Sequence, residues 1–178
     1  KKSEIGIIGC GYVGLPLALA FAKERFNVTG FDVDRIKVKS INAGQSYIKH
    51  IDSSVMAKLV KDGNLIATSD FQNIHNMDCI IICVPTPLNN YREPNLEYIE
   101  NTLESITPYL KKGQLICLES TTYPGTTREK ILPILDAKNL IPGESIFIVY
   151  SPEREDPGNK KFTTQKIPKV IGGITEKC

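Results

Sequence analysis

The segment Gly9-Cys10-Gly11-Tyr12-Val13-Gly14 constrains this chain more than any other. On its own a G-x-G-x-x-G spacing is common, because glycine-rich turns are common. Here an apolar strand-like run, Glu4 to Ile8, stands directly before it, and a helical run of small and apolar residues, Tyr12 to Lys23, follows. A second strand, Asn27 to Asp32, closes with an acid 18 residues past Gly14. Each glycine has a separate physical task in such a unit. Gly9 permits the tight turn, Gly11 lets a diphosphate approach the backbone, and Gly14 lets helix and strand pack closely. The front of the helix then offers unpaired N–H groups and a partial positive charge to the phosphates. Asp32 is spaced to accept both hydroxyls of an adenosine ribose, and its charge would repel a 2′-phosphate, so NAD is favoured over NADP. The plainer alternative is a tight strand–helix turn followed by a surface aspartate.

Downstream, the same alternation continues. Helices are expected at Asp34 to Asn42, Ser53 to Lys61, Asn95 to Leu110 and Thr126 to Ala137. Strands are expected at Leu65 to Thr68, Cys79 to Val84, Gln114 to Glu119 and Ser145 to Tyr150, with Lys169 to Gly172 a candidate for one more. The Cys79 to Val84 run is apolar on both faces and belongs at the centre of a parallel sheet. Strand–helix alternation with Gly and Pro punctuation implies right-handed crossovers, with helices on both faces of the sheet. The fold class is therefore α/β, a doubly wound and mostly parallel sheet of the Rossmann NAD-binding kind, with residues 1–178 forming one domain.

Composition narrows the partners. With 22 Lys+Arg against 20 Asp+Glu the net charge is +2, and no block of like charge suggests nucleic acid or an anionic membrane. No apolar run reaches the roughly 20 residues needed to span a bilayer, and the first residues lack the apolar core of a signal peptide. Together these features favour a cytoplasmic location. The five cysteines, Cys10, Cys79, Cys83, Cys117 and Cys178, are odd in number, which argues against a disulfide framework, and Cys79 and Cys83 read as small buried hydrophobes. His50 and His75 show no metal-ligand spacing, so no metal site is expected.

In an open parallel sheet, ligands bind beyond the C-terminal strand ends near the reversal of strand order. Three strand ends here carry unusual chemistry. Val84-Pro85-Thr86-Pro87 is a rigid turn presenting a hydroxyl. Glu119-Ser120-Thr121-Thr122-Tyr123-Pro124-Gly125-Thr126-Thr127 is rich in hydroxyls, and Tyr150-Ser151-Pro152-Glu153-Arg154-Glu155-Asp156-Pro157-Gly158-Asn159 gathers charge. Any one of them reads equally well as ordinary turn and capping chemistry, but all three lie on the binding edge of one sheet.

These motifs resemble the nucleotide-sugar dehydrogenases that include UDP-glucose and GDP-mannose dehydrogenase. The resemblance rests on Gly9 to Pro16, Cys83 to Pro87, Glu119 to Thr127 and Ser151 to Arg154. Ser46-Tyr47-Ile48-Lys49-His50-Ile51, Arg92-Glu93-Pro94 and Asp156-Pro157-Gly158-Asn159 resemble the UDP-N-acetylhexosamine (UDP-N-acetylglucosamine) 6-dehydrogenase branch. The likeness covers essentially the whole chain, but only the N-terminal cofactor domain of the family's longer enzymes. It implies oxidation of the C6 alcohol of a sugar nucleotide to a uronic acid, using two NAD in succession through aldehyde, thiohemiacetal and thioester, in the service of polysaccharide biosynthesis. The family's nucleophilic cysteine, lysine and asparagine lie in its middle and C-terminal portions, and none of the five cysteines here occupies the nucleophile's motif. The UDP-sugar would be held with the missing domains, in a homodimer or higher homo-oligomer at full length.

By the same resemblance, Gly9, Gly11, Tyr12, Val13 and Gly14 match the diphosphate turn, Asp32 the ribose acid, and Lys37 a basic residue beside the adenosine. Thr86 and Thr121 match threonines near the nicotinamide. Thr121 is also catalytic there, positioning a water, and works with Glu153 in general acid–base chemistry. UDP-glucose dehydrogenases carry a second glutamate four positions after the first, where this chain has Pro157, so Glu155 and Asp156 receive no role. Gluco and galacto substrates are not distinguished. A non-catalytic module that senses a dinucleotide would share the glycine turn, because a fold does not fix a function.

Overall fold

In the computed structural model, which describes residues 3–89, 91–152 and 168–178, the apolar run Glu4–Ile8 forms strand β1. Parallel to it on either side run β2 (Asn27–Phe31) and β4 (Cys79–Ile82), with Ile5 opposite Val28 and opposite Cys79. Strand β3 (Leu65–Thr68) pairs outside β2, while β5 (Leu115–Leu118) and β6 (Phe147–Tyr150) extend the sheet beyond β4. A short β7 (Gly172–Gly173) closes that side antiparallel to β6, giving the order β3-β2-β1-β4-β5-β6-β7. The doubly aliphatic β4 is thus the central strand of seven, where an apolar surface on both faces is stable.

Period-two alternation assigns the side chains to two cores. Ile5, Ile7, Val28, Leu65 and Ile81 face helices α1 (Gly14–Lys23), α2 (Arg35–Asn42) and α3 (Ser53–Lys61), meeting Leu15, Ala18, Ile41 and Met56. Ile8, Phe31, Ile80, Ile82, Ile116 and Ile148 face the other way, toward Ile99, Leu103 and Ile106 of α4 (Glu97–Ile106) and Leu135 of α5 (Leu132–Ala137). Most of these side chains are under 5% exposed, and each stabilises the fold by roughly 1.5–3 kcal/mol relative to leaving it in water. No helix among the described residues is long and apolar enough to cross a membrane.

Several boundaries differ from the sequence expectation, each for a local reason. Helix α1 begins at Gly14 rather than Tyr12, leaving Gly11 to Val13 as a turn. The Asn95 to Leu110 segment is helical only over Glu97–Ile106, because Asn95 Oδ1 takes the Glu97 N–H at 2.9 Å and Pro108 has no N–H to continue past Ile106. Pro133 likewise shifts the register of Thr126 to Ala137: Thr127–Ile131 is a π turn in which the Leu132 N–H donates to the Thr127 carbonyl, ahead of α5. The last strand is two residues long and starts at Gly172, not Lys169, whose side chain instead reaches Glu119 at the end of β5, 2.5 Å away. Unforeseen in the sequence was a 3₁₀ segment, Phe71–Asn76, capped by Asp70 Oδ1 through the Gln72 N–H.

Candidate functional site

Strand order reverses between β1 and β4. From β1 the chain moves outward to β2 and β3, then returns to β4 on the opposite side. The loops leaving β1 and β4 therefore diverge, and a crevice opens beyond their C-terminal ends. A cavity of about 690 Å³ fills it, within the size range of cofactor pockets.

The glycine turn forms one wall, and the three glycines divide the work as their spacing implies. Gly9 has φ +90°, and a Cβ there would lie 2.8 Å from the Cys83 carbonyl oxygen. A Cβ on Gly14 would stand 1.9 Å from the Gly9 carbonyl oxygen, so helix and strand could not close together. Gly11 has nothing within 4 Å of its would-be Cβ, which leaves open space on the cavity side. Among the described residues, the N–H groups of Gly11, Tyr12 and Val13 have no acceptor, whereas the Gly11 and Val13 carbonyls already receive the Leu15 and Leu17 N–H groups. Three unpaired donors at the front of α1 can take an anion's oxygens.

Asp32 is only 6% exposed, yet its carboxylate lines the same cavity. It accepts the Cys10 N–H (2.9 Å) and the Asp34 N–H (2.9 Å), and Lys37 Nζ lies 3.4 Å away. The acid is therefore fixed to the turn as well as facing the cavity. Asp34 caps α2 by accepting the Ile36 N–H at 2.8 Å, which sets Lys37 one turn into that helix. Thr86, after β4, and Thr121, after β5, both line the far part of the cavity. Between them Ser120 Oγ donates to the Val84 carbonyl at 2.7 Å and holds the two loops together.

Of the residues singled out in the sequence, Gly9, Gly11, Tyr12, Val13, Asp32, Lys37, Thr86 and Thr121 all line this one cavity. Gly14 is buried behind it, and Glu153 lies outside the described residues. Two contributions escaped the sequence reading. Tyr98, Asn101, Thr102 and Ser105 of α4 form a polar stripe on the opposite wall. Their i, i+3, i+4, i+7 spacing was a visible signal, set beside the aliphatic Ile99, Leu103 and Ile106 on the same helix. Tyr47 was noticed only for its place in a family motif, yet its hydroxyl donates to the Cys10 carbonyl of the glycine turn. Burial chiefly, with Cys10, Asp32 and Asp34 nearby, pushes its phenol up, so the donor proton is retained.

The cysteines are free, and Cys10, Cys79 and Cys117 are poor nucleophiles. Burial pushes the Cys10 and Cys117 thiols up to about 12 and that of Cys79 to about 11. Among the described residues, no group of three or more His, Cys, Asp or Glu could hold a metal ion.

Residues 3–178 match the model for the UDP-glucose/GDP-mannose dehydrogenase family, NAD binding domain. The chain is 36% identical over 176 residues to the UDP-N-acetyl-D-glucosamine 6-dehydrogenase of Pseudomonas aeruginosa, covering 98% of this chain and 41% of that protein. It is 38% identical over 182 residues to the UDP-N-acetyl-D-mannosamine dehydrogenase of Yersinia pestis, covering 98% of this chain and 43% of that protein. In structure it superposes on the UDP-N-acetyl-mannosamine dehydrogenase Cap5O from Staphylococcus aureus with a TM-score of 0.90 at 32% identity, over 99% of this chain and 43% of that one. The chain thus spans about two fifths of the length of these relatives.

Proposed function

The chain belongs to the UDP-glucose/GDP-mannose dehydrogenase family through its NAD-binding domain, and from that premise we propose that it is the cofactor domain of a longer NAD-dependent UDP-N-acetylhexosamine 6-dehydrogenase. The observation that carries this reading is the meeting of three unpaired N–H groups, Gly11 to Val13, with the buried Asp32 carboxylate in one cavity. The amides suit a diphosphate, and the acid suits a ribose diol.

Bound NAD supplies a two-electron acceptor for the substrate's C6 carbon. The residues of this chain hold and orient it. Gly11, Tyr12 and Val13 donate to the diphosphate from the front of α1. Asp32 accepts from the adenosine ribose, and its fixed negative charge in a nearly dry position disfavours a 2′-phosphate. Lys37 stands beside the adenosine, balancing that charge. Thr86 and Thr121 lie toward the nicotinamide. Thr121 positions a water, and Glu153 exchanges protons with it as general acid and base. The substrate's remaining contacts and the nucleophilic cysteine belong to other domains, so this chain alone does not turn over. The full-length enzyme works in the cytoplasm as a homodimer or larger homo-oligomer. A sensing module would have no use for the Thr86 and Thr121 hydroxyls in this cavity, which favours the enzyme reading.

Calorimetric titration with NAD and NADP tests this. Saturable NAD binding with NADP at least tenfold weaker supports the proposal; equal affinities, or no binding of either, overturn it.

A further inference from the structure

We propose that Tyr47 is a positioning residue that aims the Gly11 N–H at the ligand's diphosphate; the inference rests on the reading that the cavity takes a dinucleotide. Every described peptide bond is trans. In a planar trans peptide the C=O and the N–H point in opposite directions. The Cys10 carbonyl and the Gly11 N–H share one such unit, so whatever holds the carbonyl sets the direction of the amide. The Tyr47 hydroxyl donates to that carbonyl. Tyr47 is not part of the cavity wall, whereas Gly11 is. The hydroxyl therefore pulls from behind the turn, and the N–H is presented on the open side, where it has no acceptor among the described residues. The preceding peptide unit is held separately, by the Cys10 N–H donating to Asp32 Oδ2 at 2.9 Å. Both peptide planes flanking Cys10 are thus locked before any ligand arrives.

The loop carrying Tyr47 is built to deliver it. At Gly44 (φ +68°) a Cβ would come within 2.6 Å of the Ala57 Cα, so the loop leaves α2 pressed against α3. Ser53 Oγ accepts the Ser46 N–H at 3.0 Å, Ser46 Oγ accepts the Ile48 N–H at 3.1 Å, and Ile48 is 3% exposed in the core. Tyr47 is thereby fixed from both sides in sequence. Its part in the turn is a cost already met on folding, which is how preorganisation gains affinity.

The test is Tyr47→Phe, which keeps the ring and removes the hydroxyl. ADP and NAD affinities are measured by calorimetry, and that of adenosine, which lacks phosphate, by ligand-observed NMR. A neutral hydrogen bond of ordinary strength corresponds to a loss of roughly threefold to tenfold for NAD and ADP, with adenosine within twofold of wild type. A merely structural role would weaken all three ligands together, and that result overturns the proposal, as does unchanged ADP affinity. If the wild-type chain binds neither NAD nor ADP, the dinucleotide reading itself falls and this inference with it. If wild type binds and only the variant's expected loss is missing, the dinucleotide reading stands and Tyr47 has no positioning role.

Discussion

Replacing Asp32 by Asn tests the cofactor reading where the affinities for NAD and NADP should respond differently. The wild-type carboxylate accepts two backbone N–H groups, one on each oxygen. A carboxamide has one oxygen and one NH₂, so one of the two amides loses its acceptor and faces a donor. Leaving a buried donor unpaired costs about 1–3 kcal/mol, equivalent for a chain of this size to a fall in Tm of roughly 2–12 °C. The ribose loses a charged acceptor, and hydrogen bonds to charged groups are worth about 1.5–3 kcal/mol each. Losing one of them corresponds to a drop in NAD affinity of roughly 10- to 150-fold. NADP is affected differently, because the repulsion of its 2′-phosphate disappears together with the ribose bond. Its affinity should hold or rise, and the NAD-to-NADP ratio should fall by at least about tenfold. Calorimetry with both nucleotides, with thermal unfolding alongside, reads all three quantities. If the ratio is unchanged while Tm falls as expected, the carboxylate serves only the turn and the ribose assignment is wrong.

Further outcomes follow from the same geometry. Gly11→Ala should fold as well as wild type, because no atom lies within 4 Å of the new methyl, yet lose NAD by roughly 30-fold or more, since the methyl takes the diphosphate's seat. Gly14→Ala should lose both, because its Cβ would lie 1.9 Å from the Gly9 carbonyl oxygen; overpacking of this kind costs about 1–3 kcal/mol or more, readable by urea titration. Cys10 and Cys117 have folded-state thiols raised to about 12 from 9.0, so the stability they contribute is full below pH 9 and is lost as pH rises toward 12. Urea unfolding at pH 8 and 10.5 should differ by on the order of 2 kcal/mol per buried thiol, and the difference should shrink in a Cys10→Ala, Cys117→Ala double variant. In a full-length enzyme carrying this domain, Glu153→Gln should cut turnover by about 100-fold or more with NAD affinity little changed; unaltered turnover would remove the residue's proton-transfer role.

The strands and the turn were legible because their signals are local. Aliphatic runs such as Cys79 to Val84, and three glycines at fixed spacing between a strand run and a helix run, are read from residues that are neighbours in sequence. Asp32 was legible for the same reason, lying at a strand end one crossover later. What the sequence did not disclose depends on contacts between distant segments. Nothing in Ser46-Tyr47-Ile48 announces that the phenol reaches back 37 residues to Cys10. Likewise, the polar stripe on α4 has a visible period, but which wall it faces is decided by how Ile99, Leu103 and Ile106 pack under the sheet. Lys169 reads as a strand residue, but its side chain pairs with Glu119, 50 positions earlier, and the ladder begins only at Gly172. Pro133 carried a local warning that the helix would be irregular, although the π register it adopts depends on the turn before it.

The most direct measurement of the central claim is the response of individual backbone amides, recorded by ¹H–¹⁵N NMR as NAD is added to the labelled chain. The amides of Gly11, Tyr12 and Val13 should show the largest shifts in the protein and saturate together with those of Asp32 and Asp34. A spectrum in which NAD saturates while those three amides stay where they were would contradict the account.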